Sequence, residues 1–127
     1  MTGAVTKDFN EKKEFLESYR KTIEEVQLLE EELKDWQELS ECNPVEGLYV
    51  ANIVLKKREI AECENKSLDI KIRILQATDK IEDKRIRNIL RRHYIHGQSI
   101  SKIAKVMYYS DRYVKRLHKK GIEILSI

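Results

Sequence analysis

The amino-terminal third of the chain carries one long apolar stripe that nothing interrupts. Residues 8–39 contain neither Gly nor Pro, and their large apolar side chains recur mostly at steps of three and four, as on one face of an α-helix. At about 1.5 Å per residue such a helix spans roughly 45 Å, so it needs a partner along its length. Asp8 is a suitable N-cap for it. The stripe consists of Phe9, Leu16, Tyr19, Ile23, Val26, Leu29, Leu33, Trp36 and Leu39.

A second helical segment is predicted over residues 50–78. It follows the clearest break in the chain, residues 40–47, which contain Pro44 and Gly47. Its inward positions repeat every seven residues, so the simplest architecture is an antiparallel, coiled-coil-like helical hairpin. The repeating positions are Ile53, Ile60, Ser67 and Ile74.

Within this second segment, residues 68–74 alternate apolar and polar side chains, which is typical of a β-strand. We interpret them as helical nonetheless, because a lone strand between helices has no strand to pair with. The helical spacing also continues on both sides of the alternation.

Charge is distributed unevenly along the chain, although the net charge is only +3. Residues 1–48 carry 6 Lys+Arg and 13 Asp+Glu, and residues 49–83 carry 7 of each. Residues 84–127 carry 12 Lys+Arg against 2 Asp+Glu, a net charge of +10. A basic terminal third on a near-neutral chain is typical of a module that binds a polyanion. A basic surface that is merely solvated is the alternative.

In this basic third of the chain, the apolar spacing and the capping residues predict three helices of unequal length. The first ends at Gly97, which suits a left-handed C-terminal cap. A short second helix covers about residues 99–107, where Ala104 must be small because the next helix crosses close to it. After a turn at residues 108–109, Ser110 is the N-cap of the last helix. A short second helix followed by a basic third helix is typical of a helix-turn-helix DNA-binding domain.

The fold class expected is therefore all-α, in two parts. Residues 1–78 form the long helical hairpin, a region for oligomerisation or partner binding. Residues 79–127 form the three-helix DNA-binding domain.

The segment RIRNILRRHYIHGQSISKIAKVMYYSDRYVKRLHKKGIEIL, about a third of the chain, resembles region four of bacterial sigma factors. It resembles more closely the phage-encoded ArpU/RinA-type late transcription regulators. The resemblance implies a sigma-like helix-turn-helix that binds promoter DNA and controls late genes in the cytoplasm of a bacterial host. The matching positions are Arg85, Ile89, Leu90, Tyr94, Ile95, Gly97, Ser99, Ile103, Ala104, Tyr109, Ser110, Val114, Arg116, Leu117, His118 and Leu125.

Gly121 departs from that pattern, because these domains usually carry a small helix former such as Ala there. Glycine inside a helix costs roughly 0.5–1 kcal/mol. We therefore expect the last turns, with Ile122 and Leu125, to bend or fray.

Four cations are expected on the exposed face of the last helix, within reach of a major groove. Arg112 and Lys115, nearer its N-terminal end, are predicted to reach base edges, with Arg bidentate to guanine. Arg116 and Lys119 are predicted to contact phosphates, which contribute affinity without sequence information.

The remaining candidate contacts lie at helix starts. Ser99, Ser101 and Lys102 suit a phosphate, because the amides of a helix N-terminus favour an anion; simple capping is an equal alternative for the serines. Ser110 begins the last helix beside the DNA. Tyr113 would either enter the groove or pack on its own helix.

Catalysis and resident ions are not expected. His93, His96 and His118 share no ligand spacing with Cys or carboxylates, and no nucleophile is paired with a base. We therefore expect no enzyme, no metal and no cofactor. Cys42 and Cys63 are interpreted as buried, reduced thiols. No membrane-spanning or secretory segment is recognised, so a cytoplasmic location is expected.

Two classes of function remain open. The favoured one is a sequence-specific regulator that binds double-stranded DNA, as a homo-oligomer and most simply a dimer. The alternative acts through the hairpin, either as a small-terminase-like phage packaging subunit or as an adaptor that binds RNA polymerase. The acidic runs near residues 24–32 would offer polymerase a surface, although a solvated helix face is the simpler interpretation.

Overall fold

The chain is all-helical in the computed structural model, which describes residues 2–43, 47 and 49–127, with side chains from residue 8 onward. No strand occurs in these ranges, so the expected fold class is confirmed at the level of an all-α protein. No helix among them is both long and apolar enough to cross a membrane. The helices are α1 (Thr2–Cys42), α2 (Val50–Asp79), α3 (Lys84–Tyr94), α4 (Ile100–Met107) and α5 (Asp111–Ile124).

The described residues divide into two compact units. Unit 1 combines the chain up to Arg20 with Ile70–Ile127, and unit 2 is Lys21–Asp69. The boundary predicted between residues 78 and 79 therefore falls inside unit 1. The physical reason is that Leu16 and Ile74, both fully buried, belong to the same apolar cluster as the core of α3–α5.

In unit 2, α1 and α2 contact each other while running in opposite directions. Thr22 Oγ1 donates to Ser67 Oγ at 3.0 Å, and the Trp36 and Tyr49 rings lie 6.0 Å apart between centroids. Between these contacts Lys56 Nζ lies 2.7 Å from Glu32 Oε2. The pairing therefore combines apolar contact with polar bonds along its length.

Two expectations about α1 and its cysteines are wrong. Asp8 is not an N-cap, because it lies inside α1 and forms a 3.1 Å ion pair with Lys12 one turn later. Cys42 is exposed at the end of α1, whereas Cys63 is buried and its Sγ donates to the Thr22 carbonyl oxygen at 3.8 Å. Both thiols are free.

The alternating segment at residues 68–74 is helical, as predicted, because it continues the heptad face of α2. Ser67 and Ile74 on that face are buried. The break was predicted from residue 40, but α1 continues to Cys42, and Pro44 lies outside the described residues.

The start of α3 was not predicted. Asp83 is its N-cap and accepts a hydrogen bond from the Arg85 amide at 2.9 Å. Upstream, the Ile81 amide bonds back to the Thr78 carbonyl at 3.0 Å, which turns the chain out of α2. Arg91 also reaches the end of α2, where its guanidinium donates to the Leu75 carbonyl at 3.3 Å.

The turn after α4 follows the prediction, whereas α3 ends earlier than predicted, at Tyr94, with Ile95 as its C-cap and Gly97 two residues beyond. Gly97 has φ +68, a left-handed conformation in which glycine pays no side-chain penalty. Tyr108 adopts φ 60 at the end of α4, and the Tyr109 amide closes the turn by donating to the Ala104 carbonyl at 2.9 Å. Ala104 is buried where α4 meets α5, as expected.

The end of α5 does not fray, because Gly121 is buried against α3. A Cβ placed on Gly121 would lie 2.8 Å from Ile86 Cγ2 and 3.1 Å from Leu90 Cδ1. The absent side chain thus lets the two helices approach closely. Ile122 and Leu125 are both 1% exposed, so the expectation of loose final turns is wrong.

Candidate nucleic-acid interface

The site is built on α5, which is held in place by its packing against α3 and α4. Its inner side consists of residues spaced three, four and one apart along the helix, and all of them are buried against α3 and α4. This packing fixes which side of α5 faces outward. The inner residues are Val114, Leu117, Gly121 and Ile122.

The opposite side of α5 carries the four predicted cations, and we call it the cationic face: Arg112, Lys115, Arg116 and Lys119. All four side chains are exposed. Positions 112 and 119 each lie three or four residues, about one turn, from positions 115 and 116, so the four form one continuous surface. The structure therefore brings these residues together on a free side of the helix.

Two of these cations differ in their surroundings. The Arg116 guanidinium lies 5.1 Å from the centroid of the Tyr113 ring, a distance at which a cation is attracted to the ring face. Arg112 forms no ion pair or side-chain hydrogen bond with any residue that the structure describes. Arg116 likewise forms no ion pair or hydrogen bond with a residue that the structure describes, so the two arginines differ in the aromatic ring beside Arg116.

Tyr113 is half-buried and packs within the protein. Its hydroxyl oxygen accepts a hydrogen bond from Arg85 Nη1 at 2.6 Å, and its ring meets Tyr109 edge-on at 5.0 Å. Of the two alternatives for this residue, the geometry favours packing on the rim of the helix.

Arg85, on α3, is a residue at this rim that sequence reasoning did not single out as a contact. Asp83 holds its guanidinium through a 3.0 Å ion pair. The hydrogen bond that the Arg85 side chain donates to the Asp83 carboxyl lowers the pKa of that carboxyl. The sequence contains a signal for this pair: Asp83 and Arg85 are two residues apart at the start of a helix, a spacing that suits an N-cap and its partner.

The hydroxyls at the two helix starts are all occupied. Ser99 accepts from the Lys102 amide at 3.2 Å and Ser110 from the Tyr113 amide at 3.1 Å, so both act as N-caps. Ser101 Oγ donates to Asp111 Oδ2 at 2.9 Å, which joins the start of α4 to the start of α5. Lys102 is exposed beside them. Capping, the alternative for the serines, is what the geometry favours for Ser99.

His118 lies on the inner side of α5, away from the cationic face, and its neighbour His93 belongs to α3. Tyr94 Oη and His118 Nε2 form a 2.7 Å hydrogen bond, and the His93 ring lies 5.2 Å from the His118 ring. Burial, helped by the nearby His93 and Lys13, lowers the pKa of His118 to about 4. His118 is therefore a neutral packing residue at physiological pH. Within the described ranges, no group of His, Cys, Asp and Glu is arranged to hold a metal ion.

Comparison of the chain with protein families, with curated proteins and with solved structures finds no match to any of them. The geometry of the site is therefore the basis for a functional conclusion.

Proposed function

We propose that this protein is a sequence-specific regulator that binds double-stranded DNA, with α4 and α5 acting as a helix-turn-helix and α5 entering the major groove. The observation that carries the proposal is the cationic face, four exposed Lys and Arg side chains on the side of α5 that faces away from the core. A helix presented in this way fits a groove about 12 Å wide.

The division of roles follows from the surroundings of each side chain. Arg112 lies in the first turn of α5 and its guanidinium is not held over a ring, so it is the best candidate to form a bidentate bond with guanine. Lys115 would read the neighbouring base. Arg116, held over Tyr113, and Lys119, one turn further along, suit phosphates.

A second phosphate contact is proposed at the start of α4. The first backbone N–H groups of a helix have no partner within it, and Ser99, as the N-cap, accepts the hydrogen bond of only one of them. Lys102 adds a positive charge there. Because Ser101 bonds to Asp111, its hydroxyl is proposed to fix α4 relative to α5 and only secondarily to reach the DNA.

The resemblance to phage ArpU/RinA-type regulators agrees with this proposal and suggests a role in late gene expression. On this view α1 and α2 form the helical hairpin that joins two copies, and each copy presents one α5 to a half-site. The bacterial cytoplasm is the corresponding location.

The test is a selection of duplexes from a random pool at about 150 mM salt, followed by affinity measurements on the selected site. For Arg112→Ala we expect a loss of about 1–3 kcal/mol, or roughly 5- to 150-fold in Kd, together with relaxed preference at one base position. For Lys119→Ala we expect weaker binding to all duplexes and a shallower dependence of affinity on salt.

Lys21→Ala is the matched control, because Lys21 is an exposed cation of α1 outside unit 1. It removes the same charge and should leave both affinity and base preference unchanged. Selection of no sequence, or equal affinities of wild type and Arg112→Ala for the selected duplex, would contradict base reading by α5.

One observation favours the second class of function, a packaging subunit or an RNA polymerase adaptor. Unit 2 exposes large apolar side chains, among them Leu28 at 54% and Leu55 at 51%, which would suit a protein partner. Polymerase binding in the absence of DNA, or an assembly of ring size, would support this class over the regulator.

A further inference from the structure

The outer side of α2 in unit 2 carries an apolar line that α1 does not cover. Val54 and Leu68 are 50% and 56% exposed, and Ala61, midway between them, is also exposed. A spacing of seven places the three residues almost in line along a helix. The α2 residues that bond to α1, such as Cys63 and Ser67, lie on a different side.

The residues along this line are arranged symmetrically about Ala61. Arg58 lies three positions before it and Glu64 three positions after it, and Val54 and Leu68 lie seven positions before and after. Arg58 and Glu64 are exposed and form no ion pair with any residue in the described part of the chain. Lys57, next to Arg58, is also exposed, so the half before Ala61 is flanked by cations and the half after it by the Glu64 carboxylate.

We propose that this surface is the interface with a second copy of the chain, in which the two α2 helices run antiparallel about a two-fold axis at Ala61. Residues equidistant from Ala61 then lie opposite one another: Val54 against the partner's Leu68, and Arg58 against the partner's Glu64. An isologous interface needs this kind of self-complementarity.

The charges select the antiparallel arrangement. In a parallel pair in register, Arg58 would meet a second Arg58 and Glu64 a second Glu64, and both contacts would be repulsive. The small side chain of Ala61 on the axis lets the two backbones approach, so that Val54 and Leu68 can bury their apolar surface.

The experiment is a solution mass by light scattering or sedimentation over a range of concentrations, without DNA. The wild type should form dimers, and Ala61→Arg should shift the dissociation constant upward by at least tenfold, because it places two cations together on the axis. Leu55→Arg is the matched control, since Leu55 is 51% exposed on another side of α2. It should leave the mass unchanged.

Charge reversal tests the direction of the helices. Arg58→Glu alone should weaken the dimer, and Arg58→Glu combined with Glu64→Arg should restore it. A parallel dimer would stay weakened, or be unaffected, in the double variant. Because Ala61 and Arg58 are exposed, circular dichroism should show unchanged helicity in each variant.

Cross-linking gives an independent measurement in a Cys42→Ser background. Ala61→Cys should form a disulfide-linked dimer on mild oxidation, and Leu55→Cys should not. A mass of one chain at every concentration, or a dimer that Ala61→Arg leaves intact, would overturn the proposed interface. Neither result depends on DNA, so this interface and the role of the cationic face are tested separately.

Discussion

The two units of this protein differ in how completely they bury their apolar residues. In unit 1, Ile89, Leu90, Ile103 and Val114 are fully buried, and even a glycine is packed against a neighbouring helix. Among the described residues of unit 2, the buried apolar ones are Val26 and Cys63, whereas six large apolar residues are at least 44% exposed.

This difference in burial fits a different role for each unit. Three helices that cross can enclose a core, whereas two helices side by side leave most of each surface open. Unit 1 therefore has the rigidity that the proposed DNA-binding site requires. Unit 2 has apolar surface available for a second chain.

The largest difference is expected for matched truncations of buried and half-buried isoleucine. Ile89→Ala in unit 1 should lower the free energy of unfolding by about 2–5 kcal/mol, because it leaves a cavity in a closed core. Ile60→Ala in unit 2 should cost only about 1 kcal/mol, because Ile60 is partly buried and water can enter the space that its side chain leaves. Urea unfolding followed by circular dichroism, at one protein concentration, measures both. Equal losses would remove the distinction between the units.

A smaller effect is expected from filling the contact between α5 and α3. Gly121→Ala should destabilise the protein by about 1–2 kcal/mol, since overpacking against Ile86 and Leu90 outweighs the gain in helix propensity. Lys120→Ala, at the exposed neighbouring position, should change stability by less than about 0.5 kcal/mol. Thermal or urea unfolding distinguishes the two, and a stabilised Gly121→Ala variant would mean that the helices can separate at no cost.

The smallest effect is expected from pH. In the unfolded chain His118 takes up a proton near pH 6.5, but in the folded protein its pKa is lowered to about 4. The unfolded state therefore binds more protons between these values, and stability falls as the pH is lowered through this window. Allowing for partial exposure, we expect His118 to account for about 1–2 kcal/mol of that fall.

Variants at two histidines isolate this contribution. His118→Gln should flatten the dependence of the free energy of unfolding on pH between about 6.5 and 4. His96→Gln changes an exposed histidine and should retain the wild-type dependence. Identical profiles for His118→Gln and the wild type would show that His118 is solvated in the folded protein.

Much of the fold could be predicted because helices have strong local signals. The uninterrupted stripe of α1, the heptads of α2 and the Ser110 cap all appear in the structure close to their predicted positions. Gly97 is left-handed as predicted, two residues after the C-cap Ile95. The start of α3 at Asp83 was missed because the apolar pattern runs through the turn at Ile81, whose side chain is buried as if the helix continued.

For the candidate site, the exposure of the four cations followed from helical periodicity. What could not be predicted was which hydrogen bonds the neighbouring side chains form. Ser101 bonds to Asp111, and Tyr113 bonds to Arg85, 28 residues away. Such contacts depend on where α3 and α4 lie relative to α5, and this placement has no local signature.

The sequence by itself therefore determined the helices and the sides of them that face inward, because periodicity and capping are local properties of the chain. The tertiary structure alone decided that residues 8–20 pack with the end of the chain, and that Gly121 is a point of close approach between α5 and α3. Both depend on which surfaces meet after the chain has folded, and contacts between distant residues leave no periodic trace in the sequence.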